Sequence, residues 1–360
     1  MLAISTKPGN SVKIAETKET IPLAVTATVP VGDNPTDIAL NGATNRIYTT
    51  NNDDNTVSVI GGRLRKVIAT VKVGKGPVAI GLNPLTNRGY VANLDGTVSV
   101  FNGATNRVIA TLKAGGLPGD VMIHTRANRI YVPNQGSDSV TVINGQTNKA
   151  IKTIKVGDAP SVGAVNPHTG RIYVLNQQSS SVTVINGRTL AVAATIPVGS
   201  TPLAIAVNRV TNQVYVTTFN NNNGVVSVID GATDAVIDTV LIGGENDSIA
   251  VNEKTGRVYA ANQSGNNVTV LDGEAMAAIA SVEVGAGPIY TMVDEARNRV
   301  YVVLFRADSG GSLVQIDGKT NKVEGAVAVG RGAIKAVVHP LGHRIYVLNQ
   351  EDNTVTAVKS

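Results

Sequence analysis

One short segment recurs eight times along the chain: "NRIYTTN", "NRGYVAN", "NRIYVPN", "GRIYVLN", "NQVYVTT", "GRVYAAN", "NRVYVVL" and "HRIYVLN". Their tyrosines are Tyr48, Tyr90, Tyr131, Tyr173, Tyr215, Tyr259, Tyr301 and Tyr346, spaced by 42, 41, 42, 42, 44, 42 and 45 residues. A period of this size matches one four-stranded propeller blade. A unit that short cannot bury its apolar faces alone and must stack on its neighbours. The repeat therefore overrides the two-domain expectation that 360 residues would otherwise suggest.

Within one period, "STPLAIAVNRVTNQVYVTTFNNNNGVVSVIDGATDAVIDTVLIG", four β-rich runs are separated by Asn, Gly, Asp, Pro and Thr clusters. They are strand a "PLAIAV", b "QVYVTT", c "VVSVI" and d "AVIDTVLI". The recurrent "NGATN" or "DGATD" between c and d is hairpin chemistry, since Asn, Asp and Gly accept positive φ cheaply. No stretch keeps a helical period, so the chain is all-β. The last repeat stops after strand c, "NTVTAV", while the start supplies a lone d-like strand, "PLAVTATVPVG". Pairing these two closes the ring and removes its edges. The expectation is a single eight-bladed β-propeller over residues 21–360 after an N-terminal extension of residues 1–20, with seven blades as the alternative, and a monomer.

The Tyr-Val-x-Asn core, the "VG" before each strand a and the "NGATN" turn resemble the YVTN family of β-propeller repeats. The resemblance covers almost everything after about residue 22 and is specific for fold. For function it implies less: an extracytoplasmic address, periplasmic or extracellular, and one periplasmic relative that binds DNA. WD40 signatures are missing, because the chain has no Trp.

Composition narrows the partners. The formal charge of +5 permits anionic ligands without demanding them. Aromatics make up only 3%, which leaves few stacking platforms for single-stranded nucleic acid. With no Cys there is no disulfide, thiolate zinc site or cysteine nucleophile. No apolar run approaches the roughly 18 residues of a membrane span, and "MLAISTKPGN" lacks the apolar centre of a signal peptide. These features leave the cytoplasm open as an address.

Positions that repeat in every blade are expected to serve architecture. The tyrosines pack between blades. The Asn closing each "YVxN" (Asn51, Asn93, Asn134, Asn176, Asn262, Asn349) is expected to cap the following turn through backbone groups. Arginines at the start of strand b (Arg46, Arg88, Arg129, Arg171, Arg257, Arg299, Arg344) either brace their own blade or form a phosphate-attracting ring. Blade five has Gln213 there.

Function is expected where the repeat breaks, on the end of the channel that carries the d-to-a and b-to-c loops. Blades five and seven, "YVTTFNNNNGVV" and "YVVLFRADSGGSL", have longer b-to-c loops carrying Phe219, Phe305 and Arg306. One column of strand a is chemically diverse: Asp37, Ala79, Asp120, Val162, Ala204, Ser248, Tyr290 and Lys335. The preceding loops add Lys75, Asp158, Glu245, Asp247 and Arg331. Ring closure sets Lys335 beside Asp37. Phe219, Asp247, Tyr290, Phe305, Arg306, Arg331 and Lys335 are the expected ligand-binding set, for a small molecule or a protein.

Acid/base chemistry would need Asp37, Asp120, Lys335 or Glu245 to be partly desolvated, which opens a hydrolase or lyase reading. The histidines (His124, His168, His339, His343) align to strand-a ends or a-to-b turns, the opposite face, so no Ser/His/Asp set assembles. Two in one loop are too few for a metal centre, and no metal or cofactor is expected. Single-stranded DNA binding by the arginine face is the third reading.

Overall fold

A computed structural model describes residues 22–220, 223–245, 247–306, 310–340 and 342–360; the N-terminal extension 1–20 lies outside them. Eight four-stranded antiparallel sheets form the blades, each ordered a-b-c-d from the channel outward. Blade one spans 35–72, two 77–113, three 122–155, four 160–197, five 202–241, six 248–283 and seven 288–328. Blade eight takes a, b and c from Ala333–His339, Arg344–Asn349 and Thr354–Lys359, and its outer strand from Ala24–Pro30. Val25 thereby pairs with Val358 and Val29 with Val355. Strand a of blade one packs on those of blades two and eight, so the ring is closed. The seven-bladed alternative falls.

The core lies between blades. Each blade contributes apolar residues of b and c to a cluster shared with its neighbour, as where Tyr173 and Val184 meet Val214 and Ile229. The eight repeat tyrosines are the largest fully buried side chains among the described residues. Burial first, then nearby carboxylates, pushes the hydroxyls of Tyr173 and Tyr215 up to about 12.

In five blades the ring reaches toward the c-to-d turn of the next blade, at Gly62, Gly145, Gly187, Gly231 and Gly273, which explains the turn glycine. A Cβ at Gly231 would fall 2.6 Å from Tyr173 Oη, and one at Gly145 2.8 Å from Tyr90 Oη. Glycine was expected in "NGATN" for positive φ, but the left-handed residue is the one three places later, such as Asn106 or Asn148. The glycine is there for space.

Six of the seven arginines brace the neighbouring blade rather than their own. Arg46 donates to Gly103 O, Arg88 to Gly145 O and Arg129 to Gly187 O, while Arg257 meets Gly318 O at 2.6 Å and Arg344 meets Gly62 O at 3.2 Å. Gln213 substitutes in blade five, donating to Gly273 O at 3.2 Å. Arg171 pairs with Asp234 of the next turn. The seam explains Arg299: blade eight has no c-to-d hairpin, and this arginine turns back to Glu324 of its own blade at 2.9 Å.

The "YVxN" amides also depart from expectation. Asn176 Nδ2 donates to Ser181 Oγ and Thr183 Oγ1 at 3.0 and 2.9 Å, and Asn51 and Asn349 do the same with their own strand-c hydroxyls. They tie b to c through side chains, while two bond backbone groups that follow them in the chain, as expected: Asn93 donates to Thr97 O at 3.2 Å, and Asn262 accepts from Gly265 N.

Candidate functional site at the channel mouth

In six blades strand a carries a register shift just after its first residue, a proline in five of them and Ala333 in blade eight, as between Pro35 and Asp37 or Ala333 and Lys335. Such a bulge re-aims the following side chain. The chemically diverse column sits at this point, where the d-to-a loops open the channel.

The column has a structural duty in three blades. Asp37 Oδ2 accepts from Ile80 N at 2.8 Å, Asp120 Oδ2 from Gly163 N at 3.2 Å and Ser248 Oγ from Thr291 N at 3.0 Å. Each acceptor links its own inner strand to that of the following blade. Asp37 and Asp120 also accept the next backbone N–H, from Ile38 and Val121.

Lys335 has no acceptor to offer. Its Nζ lies 2.6 Å from Asp37 Oδ1, the contact ring closure was expected to make, and 5.9 Å from the centre of the Tyr290 ring. Burial opposes the ammonium charge, but Asp37, Tyr290 and Asp120 outweigh it and hold Lys335 above its ordinary pKa. An ammonium so held is a fixed cation, not a base. Asp37, 6% exposed, receives three donors, which occupy both lone pairs of Oδ1 and one of Oδ2 and hold it in a structural role.

Asp120 differs. Burial pushes its carboxyl up, and Lys335 and the two backbone donors do not fully offset this. A raised acid favours its protonated form in the fold. That contribution is fully present below the ordinary value of 3.8 and is lost as pH rises through the raised one. Asp120→Ser, which copies Ser248 of blade six, is expected to remove this loss. Denaturation midpoints of both proteins between about pH 4 and 7 check it; equal slopes would refute the assignment.

A cavity of about 290 Å³ occupies the mouth, bounded by blades three to eight. Of the sequence-derived candidates it brings together Asp120, Asp247, Tyr290 and Lys335. Burial and then Glu245 push the Asp247 carboxyl up. The others are not in its wall. Arg331 is held on the rim by Asp352, Nε to Oδ1 2.7 Å. Glu245 is half-buried in its d-to-a loop, its N–H on Ser264 Oγ. Phe305 donates its N–H to Gly287 O at 2.7 Å, and the exposed Arg306 lies over Gly285. In blade five the extra residues lengthen the hairpin itself. Strands b and c run Gln213–Asn220 and Asn223–Asp230, with Phe219 opposite Gly224. Sequence reasoning missed Thr291, whose only signal is its place beside Tyr290.

The histidines stay architectural. His124 accepts Ala127 N in the position other blades give to a turn asparagine, and His343 takes a turn at φ 50°. No cluster of three potential metal ligands occurs among the described residues. Nor is any helix among them long and apolar enough to cross a membrane.

A family profile described as "YNCE-like beta-propeller" matches residues 70–257, just over half the chain. The chain belongs to the YNCE-like β-propellers. No curated protein matches it in sequence. In fold, this YNCE-like chain is similar to hydrazine synthase of Kuenenia stuttgartiensis, with TM-score 0.65, 18% identity, and 91% of this chain and 96% of that one covered. It is similar to the dihydro-heme d1 dehydrogenase NirN solved with DHE, with TM-score 0.73, 14% identity and coverage of 89% and 72%. It is also similar to Sqt1 of Saccharomyces cerevisiae, with TM-score 0.77, 12% identity and coverage of 94% and 97%. At these identities the likeness is one of fold alone.

Proposed function

We propose that this YNCE-like propeller is an extracytoplasmic binding protein that takes a small molecule or a short protein segment at the channel mouth. The observation that carries this reading is the cavity where Asp120, Asp247, Tyr290 and Lys335 converge. A half-buried aromatic face, a fixed ammonium and two carboxylates give directional recognition. Phe305 and Arg306 stand against the d-to-a loop that leads into blade seven, through Gly287 and Gly285.

Binding is favoured over hydrolase or lyase chemistry because Asp37 and Lys335 are consumed by each other. Asp120 and Asp247 are the acids that remain in the cavity. Nucleic-acid binding by the repeat arginines is disfavoured, since each has a partner within the ring or its own blade. The test is a thermal-shift screen of small zwitterions, amines, carboxylates and peptides, followed by affinity measurement. Tyr290→Ala is expected to weaken any mouth ligand about tenfold or more, equivalent to ~1.4 kcal/mol. Unchanged affinity in Tyr290→Ala and Asp120→Ser alike would place the ligand elsewhere.

A further inference from the structure

The outer wall of the ring, built from the c-to-d turns and d strands, is segregated by charge. Segments 61–72, 102–113, 144–155 and 186–197, the outer wall of blades one to four, hold ten Lys or Arg and no Asp or Glu. Segments 230–241 and 272–283, that of blades five and six, hold six Asp or Glu and no Lys or Arg. In a closed ring of eight, blade five stands across from blade one and blade six across from blade two. The wall therefore has a basic half and, opposite its first two blades, an acidic sector.

These basic side chains are available. All but Arg65 are exposed, and none of the ten takes part in an ion pair among the described residues. On the acidic side Asp238, Glu274 and Glu283 are exposed, while Asp230, Asp234 and Asp272 are half-buried in their turns. Both sectors end in outer strand edges whose backbone groups face outward, and both expose aliphatics beside the charges, such as Ile109 and Ile151 on one and Ile237 and Ile279 on the other.

We propose that the wall is a self-association surface, with the basic half of one copy seating against the acidic sector of a second. A polyanionic partner would account for the basic half only; a second copy accounts for both sectors. The strands also fit: "KAIKTIK" (149–155) set antiparallel and centred on "AVIDTVL" (235–241) places Lys152 against Asp238. Because the two sectors lie on different sides of the ring, the contact is head-to-tail and propagates beyond a dimer.

The full chain is tested by sedimentation velocity at low and high salt, where the screening length is about 30 Å at ~0.01 M and about 3 Å at ~1 M. The expected result is concentration-dependent association at low salt that reverts to monomer at high salt. K149E/K152E/K155E and D238K/E274K/E283K should each be monomeric with wild-type melting. Mixed together they should form a one-to-one dimer and nothing larger, because each retains the sector the other lost. Wild type that stays monomeric at low salt overturns the proposal, as does a mixture that forms no dimer. So does a salt-sensitive wild type that binds vesicles rich in phosphatidylglycerol, or polyphosphate, while remaining monomeric.

Discussion

Replacing Tyr215 by Ala is expected to lower stability by about 3–5 kcal/mol, the range for emptying a large buried aromatic site. The ring of Tyr215 is fully buried in the cluster that joins blades five and six, beside Val226, Val258 and Leu271. Its loss opens a void at a blade interface, and the neighbouring sheets are too constrained by their ladders to collapse into it. Tyr215→Phe should cost only about 1 kcal/mol, the worth of a net hydrogen bond, since the hydroxyl donates to Gln213 Oε1 at 2.8 Å. Chemical denaturation of the two variants checks the contrast. Equal costs would mean that the hydroxyl rather than the ring holds the interface.

Asp37→Ala is expected to destabilise by about 3 kcal/mol, the lower end of the range for a broken buried pair, because Lys335 keeps 36% of its side chain exposed. The substitution strands the ammonium and leaves Ile38 and Ile80 N–H without their acceptor. Lys335→Met should cost much less, because Asp37 still receives both backbone donors. The double variant should lose less than the sum of the two single ones, as expected for residues in contact. Additive losses would show that Asp37 acts through the backbone alone. This contact also closes the ring on its inner side, as Ala24–Pro30 closes it on the outer side.

The fold was legible because the repeat exposes it eight times over, and because the strand missing from the end is present at the start. The Lys335–Asp37 contact followed from closure by counting. Other details depend on geometry that no single blade displays. The bulge after Pro35 re-aims Asp37 so that it accepts from the next blade, and a one-residue shift in pairing leaves no mark in composition. The arginines looked like braces within a blade, yet six of the seven bridge two, because strand b of one blade lies against the c-to-d turn of the next. Arg331 looked free in the sequence because its partner, Asp352, sits 21 residues away in the b-to-c loop of the same blade. The split in wall charge is written in the sequence, but it has no meaning until blades are numbered around a closed ring.

The repeated positions hold the ring and the departures from the repeat form the mouth, and a crystal structure with the tightest ligand from the proposed screen tests that division most directly. The ligand is predicted to lie in the cavity bounded by blades three to eight, against the Tyr290 ring and within reach of Lys335 and Asp120. A ligand seated among the a-to-b turns at the other end of the channel, or on the outer wall, would contradict it.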